Sequence, residues 1–385
     1  MDFINLGNRD SQKGTEKQSA QKADSNWQKW YDFCRETGIK NEFLQNYTKQ
    51  QKIDIMCGFA AAIRRNFFGK SKKEILHGNT VQSTVRHVRQ IFRINGFNDP
   101  GTDETGATHL KINRILNAYK KEDPNTRNQC ALPLSVFKML YFNRITTKNK
   151  HIGLLATGAL FYGMRSCEYL RVRNAHQKQT KILKIENFKF FIKNKKLDNQ
   201  KDNLMRADFL AITFVSQKIG EKFQSIIQHK SNRTLCPIKA WGELINTILS
   251  YGNTNEHTEI NYFISDNGPA YISAEDMIIQ IRAACKTMGT HKLGFTSDRV
   301  GTHSIRTSFS MQLHLAGVKD HIIMLQGTWK SLSFLQYIRL QVQELSRDLS
   351  QKMATAAVSH FNITGEQRNI SLVEPSQEII HRNRH

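Results

Sequence analysis

The chain has 385 residues, of which 56 are Lys or Arg and 33 are Asp or Glu, giving a formal net charge of +23. That length allows two or three domains, and the basic excess favours a polyanionic partner. No run approaches the ~20 apolar residues of a membrane span, so no membrane partner is expected. Residues 1–7 lack the basic-then-apolar pattern of a secretory signal, so an intracellular protein is expected. Six cysteines, Cys34, Cys57, Cys130, Cys167, Cys236 and Cys285, lie far apart with no C-x-x-C pair. They read as buried reduced thiols rather than as zinc ligands or disulfides.

Residues 1–23 are polar, carry balanced charge and read as a disordered tail. A small all-α domain is expected over 24–122. Asp24-Ser25 offers a helix cap, followed by Trp27, Trp30, Tyr31 and Cys34 at i, i+3, i+4, i+7, with Gly38 as the stop. A second apolar helix is expected over 51–66. A third, over 80–96, buries Val85, Val88, Ile91 and Phe92 and projects Arg86, Arg89 and Arg93. A fourth covers 110–119. Taken alone, the three arginines read as an ordinary solvated helix face.

The polar stretch 123–131, broken by Pro124, reads as a linker. From 132 onward a mixed α+β domain is expected, mainly helical with a small antiparallel sheet. Leu132-Pro133 opens one helix. A buried helix over 152–161 leads into Gly163-Met164-Arg165-Ser166-Cys167-Glu168. Strands are expected over 180–185, 188–192, 209–215 and 223–227, with Ser216-Gln217-Lys218-Ile219-Gly220 as a turn. Helices follow over 240–249 and, capped by Ser273, to Met288. Then Gly301-Thr302-His303-Ser304-Ile305-Arg306 opens helix-favouring text that stops at Ala316-Gly317. That spacing puts His303 and Arg306 on one face at the helix entry, where a guanidinium beside an imidazole can grip a phosphate. Beyond it lie Trp329, a short helix carrying Tyr337, and a polar tail over 345–385.

In order, Arg165-Ser-x-Glu168, Thr302-His303-Ser-x-Arg306 and Trp329-Lys-Ser-x-x-Phe-Leu-x-Tyr337 resemble the tyrosine recombinase (phage integrase) family over roughly 132–339. Trp329, where most bacterial members carry His, is closest in style to recombinases of eukaryotic mobile elements and of diatom plastids or plasmids. The resemblance implies an all-α core-binding domain over 24–122, which would turn Arg86, Arg89 and Arg93 toward DNA, and a catalytic domain over 132–344. It implies double-stranded DNA as partner, four protomers on two DNA sites, no cofactor and no metal. The tail over 345–385 becomes a candidate protomer-docking segment. A DNA-associated location in plastid or nucleus is the corresponding expectation.

Metal-free cleavage of a phosphodiester needs a nucleophile, positive charge on the non-bridging oxygens, and a proton for the leaving 5′ oxygen. Tyr337 is the candidate nucleophile, and Arg165 and Arg306 are the candidate clamps. Lys218 is the candidate acid, because the Gln-Lys-x-Gly turn matches where the family keeps its lysine; Lys222 and Lys230 compete for that role. His303 would assist proton transfer, Trp329 could donate its indole N–H, and Glu168 would hold an arginine in place. Tyr169 and Tyr271 are fallback nucleophiles. The expected function is site-specific DNA cleavage and rejoining through a 3′-phosphotyrosyl link. The alternatives are a type IB topoisomerase-like or resolvase activity, and a catalytically silent DNA-binding protein derived from a mobile element.

Overall fold

A computed structural model describes residues 17–69, 74–124, 129–172, 180–216, 222–329 and 331–335. By its contacts the chain divides into Met1–Leu340 and Gln341–His385, and all described residues belong to the first unit. They are mainly helical, with a four-stranded antiparallel sheet whose strands run, side by side, Lys195–Lys196, Phe188–Ile192, Phe209–Ser216 and Lys222–His229, and a separate two-stranded hairpin.

Four helices come first: α1 (Lys17–Glu36), α2 (Lys49–Arg64), α3 (Gly78–Ile94) and α4 (Leu110–Glu122). α1 starts ahead of the Asp24-Ser25 cap, inside the stretch expected to be disordered. Lys, Gln and Ala are good helix formers, so the helix extends through 17–23 although that segment has little apolar surface. α2 starts at a reciprocal cap: Gln51 N donates to Thr48 Oγ1 (3.3 Å), and Thr48 N donates to Gln51 Oε1 (2.9 Å). The apolar faces meet in one cluster built on Trp30, Phe33, Phe59, Val85, Val88, Phe92 and Ile112. Trp30 is its centre, edge-on to Phe59 at 5.0 Å and to Phe92 at 5.9 Å.

The expected linker begins with an anchor. Asp123, directly after α4, accepts from Arg64 Nη1 and from Gly78 N, both at 2.5 Å. The side chains of Arg64 and Asp123 are only 9% and 5% exposed. One carboxylate thus ties the end of α4 to the end of α2 and the start of α3.

α5 (Leu134–Phe142) and α6 (Thr147–Tyr162) follow. α6 is apolar on nearly every side and buried along most of its length, as a central core helix must be. Its core partners include α5, α8 (Pro237–Leu249) and α9 (Ala274–Met288). After the short helix α7 (Ser166–Tyr169) come β1 (Phe188–Ile192), β2 (Lys195–Lys196), β3 (Phe209–Ser216) and β4 (Lys222–His229). Ile212 pairs with Ile226, and Leu210, Ile212, Phe214 and Ile226 point into the core, the alternation expected of a half-buried sheet.

The strand expected over 180–185 does not form. Its backbone groups are claimed by loops instead: Leu183 N by Glu168 O (2.9 Å) and Ile185 N by Thr258 O (3.1 Å). A hairpin of β5 (Tyr262–Ser265) and β6 (Gly268–Tyr271) stands where a lone apolar stretch was expected. Ser273 caps α9 as anticipated, its Oγ accepting from Asp276 N at 3.1 Å. The short α10 (Thr290–Leu293), then α11 (Thr302–Leu315) and α12 (Asp320–Gly327), close the described chain apart from a turn of 3-10 helix at Leu332–Phe334. Among the described residues no helix is long and apolar enough to cross a membrane.

Candidate active site

The site forms where three helix ends converge. α6 stops at Gly163, whose backbone is left-handed at φ 55°; a Cβ there would stand 2.6 Å from the Phe309 ring. Glycine therefore meets both demands of this corner, the turn and the close approach. Two residues on, Arg165 precedes α7. Its amide donates to Glu168 Oε2 (2.7 Å) and its guanidinium to Glu168 Oε1 (3.1 Å). Glu168 is buried, so this carboxylate fixes both the backbone and the head group of Arg165.

α11 supplies the second arginine from about 140 positions later in the chain. It is buried from Ser304 to Met311 although several of these residues are polar. Their hydroxyls are satisfied locally: Ser308 Oγ donates to Ser304 O (2.7 Å), Thr307 Oγ1 to His303 O (3.1 Å) and Ser310 Oγ to Thr307 O (2.9 Å). The helix entry is also held from outside. Ser304 N donates to the side-chain oxygen of Gln129 (3.1 Å), and Leu132 N donates to Ser308 Oγ (2.7 Å).

Arg306 is 5% exposed. It donates to the carbonyls of Gly163 and Gly327, and its Cζ lies 4.2 Å from the centroid of the Trp329 ring. Arg165 reaches the next carbonyl, Thr328 O, at 3.5 Å. Thr328 itself adopts the left-handed conformation, φ 53°, an uncommon state for a β-branched residue. This turn aims two successive carbonyls at two different arginines and brings the indole in behind them. Trp329 packs on Phe309 and Phe334, with centroids 6.1 and 5.6 Å away.

His303, on the more exposed side of α11, stands close enough to both arginines to feel their charge. Desolvation of the ring lowers its pKa first, and the positive charges of Arg306 and then Arg165 lower it further. The imidazole is therefore held neutral at neutral pH and can accept a proton. Two fixed guanidiniums beside a neutral base make a site that can bind a phosphate diester and move a proton near it.

Arg165, Glu168, His303, Arg306 and Trp329 are thus gathered in one place. Lys218 and Tyr337 lie outside the described residues, as does the tail over 345–385. Tyr169 is unsuited to nucleophilic attack: it is fully buried, its hydroxyl has no hydrogen-bond partner, and burial pushes its pKa far up. Tyr271 lies under the Arg171 guanidinium, 4.0 Å from ring centroid to Cζ.

The arginine stripe on α3 needs correction. Arg86 is exposed and the Arg93 side chain is 60% exposed, but that of Arg89 is only 12% exposed. Arg89 donates to Asp99 (2.7 Å) and Thr108 (2.8 Å), bracing the loop between α3 and α4. It does not project as the helical spacing suggested, because a carboxylate ten residues on draws it in. Among the described residues no group of His, Cys, Asp and Glu could hold a metal ion. Gln129, Gly163, Gly327 and Thr328 were not anticipated as parts of the site; in the sequence they stand in text that reads as linker, turn and helix stop.

No protein-family model matches this chain, and no curated protein sequence matches it. Solved structures do. A Tn1549 transposon integrase in complex with transposon right-end DNA is 12% identical, over 76% of this chain and 85% of that one, with a TM-score of 0.41. A XerH site-specific recombinase bound to palindromic difH substrate is 15% identical over 80% and 74%, with a TM-score of 0.45. A XerA recombinase is 13% identical over 86% and 98%, with a TM-score of 0.36.

Proposed function

We infer that this chain is a tyrosine recombinase that cuts and rejoins double-stranded DNA. The observation that carries the reading is the convergence of Arg165, His303 and Arg306 from two distant stretches, with Arg306 on the carbonyl of Gly327 and Arg165 on that of Thr328. Holding the buried Arg306 and the largely sheltered Arg165 at one corner of the fold is unfavourable, and a site that receives a phosphate diester gives the arrangement a use.

In the proposed reaction the Tyr337 oxygen attacks the phosphorus. The bond to the 5′ oxygen breaks, a 3′-phosphotyrosyl bond forms, and Lys218 supplies the proton for the departing hydroxyl. Arg165 and Arg306 brace the non-bridging oxygens, and His303 helps to move the phenolic proton. A 5′ hydroxyl of a partner strand reverses the step, so the bond energy is conserved and no nucleotide cofactor is called for. Four protomers on two DNA sites would perform the exchange.

The test incubates the purified chain with duplexes taken from DNA flanking its coding sequence, in excess EDTA, followed by denaturation. The reading expects a covalent protein–DNA adduct and a free 5′ hydroxyl. A break that needs a divalent metal, or that leaves a 5′ adduct, contradicts it.

A further inference from the structure

We propose that Gln129 is a positioning residue of the candidate site: from the end of the linker it holds the entry of α11, and with it His303 and Arg306, in place. This rests on the recombinase reading of the site and deepens it.

An α-helix leaves its first four amides without partners inside the helix. Gly301, at the cap position of α11, has no side chain to offer them. Ser304 N instead divides its donation between Gly301 O (3.0 Å) and the side-chain oxygen of Gln129 (3.1 Å), a residue 175 positions away in the chain. The glycine makes room for this visitor. Its backbone is extended, φ −165°, so no turn demands it, but a Cβ there would stand 2.7 Å from the Gln129 amide nitrogen. A serine or aspartate at 301 would cap the helix locally, so stability alone does not call for a cap from so far away.

The attachment is wider than one bond. Cys130 N donates to Arg299 O (2.9 Å), ahead of α11, and Leu132 N donates to Ser308 Oγ (2.7 Å), within it. Residues 129–132 thus fasten α11 on both sides of His303 and Arg306. Ser304 lies between those two in sequence. Arg306 depends on exact placement, since its two terminal nitrogens end on the carbonyls of Gly163 and Gly327. A shift of the first turn would draw the guanidinium off both carbonyls and carry His303 with it.

Three substitutions separate positioning from packing. Gln129→Ala removes the acceptor. Gln129→Asn keeps the amide but is one methylene short. Gln129→Glu keeps both the length and an acceptor oxygen, and a carboxylate is favoured at a helix N-terminus. Covalent adduct formation is measured at saturating DNA, and affinity separately, on protein that circular dichroism shows to be folded. The Ala and Asn variants should be slower by about five- to tenfold, the scale of one net hydrogen bond, with affinity unchanged. Gln129→Glu should recover to within about twofold of wild type. All three at the wild-type rate, or Glu as slow as Ala, would overturn the proposal.

The His303 ring, titrated by NMR without DNA and assigned by the signal lost in His303→Gln, reads placement apart from any reaction. Burial, and then the charges of Arg306 and Arg165, hold its pKa down. Gln129→Ala should release the ring and raise that pKa toward the ordinary imidazole range. An unchanged pKa would overturn the proposal. The shift without any adduct in wild type would count against the recombinase reading and leave the positioning role standing.

Discussion

In the first helical region, sheltered arginines end on carboxylates. Arg64 reaches Asp123 and Arg89 reaches Asp99, and each pair ties one element to another. Around α6 and α11 the pattern changes: Arg306 is oriented by two backbone carbonyls and a ring. A carboxylate neutralises a guanidinium, whereas a carbonyl orients it without cancelling its charge. Arg165 lies between these cases, since Glu168 fixes it from one side while its other nitrogen reaches Thr328 O. Sheltered arginines can thus brace the fold in one place and keep their charge for a candidate site in another, and the partner atoms distinguish the two.

The sharpest way to break this contrast is Arg306→Lys. Lysine keeps the charge but cannot span both carbonyls. Cleavage should fall by about a hundredfold or more, with DNA affinity nearly kept. A variant as fast as wild type would show that the carbonyl cradle has no part in the reaction. Asp123→Ala tests the other side. It leaves Arg64 buried without its main partner, so the urea midpoint should drop by roughly 1 M or more, while protein that remains folded should cleave bound DNA at the wild-type rate. A slower rate in the folded fraction would place Asp123 in the machinery after all.

His151 offers a comparison with His303. It is fully buried on α6, its Nδ1 2.8 Å from Thr147 O, and burial lowers its pKa to about 4. The unfolded chain takes up this proton below about pH 6.5, the folded chain only below about 4. Its contribution is therefore complete above pH 6.5 and is lost as pH falls toward 4, by about 3 kcal/mol in total at ~1.4 kcal/mol per unit. Unfolding free energies at pH 7 and pH 4, for wild type and His151→Gln, give the difference. An identical pH dependence in both would rule His151 out as the source. The smallest effects belong to α3. Removing Arg86 and Arg93 should flatten the salt dependence of DNA binding by about one unit of slope per lost contact. Arg89→Ala should lower Tm by a few degrees and leave that slope alone; the opposite pattern would restore Arg89 to the DNA face.

Much of this was legible beforehand, for identifiable reasons. Local rules found the Leu132-Pro133 start, the Ser273 cap and the Ala316-Gly317 stop, because capping and helix-breaking are properties of neighbours in sequence. The spacing of His303 and Arg306 fixed their common face for the same reason. Partners distant in the chain stayed hidden. Nothing near Arg89 announced Asp99, nothing in a polar linker announced the Asp123 anchor, and Gln129 gave no sign that it would receive the amide of Ser304. The strand expected over 180–185 failed because Glu168 and Thr258, both remote in sequence, took its hydrogen bonds.

In the proposed reaction Arg165, His303, Arg306 and Trp329 serve a tyrosine that attacks DNA. A nicked duplex that sheds a short fragment on cleavage traps the adduct, and mass spectrometry of the digested complex identifies the modified residue. Nucleotide is expected on the peptide carrying Tyr337, and no adduct in Tyr337→Phe with DNA binding intact. Nucleotide on another residue, Tyr271 included, or an adduct that survives in Tyr337→Phe, would contradict it.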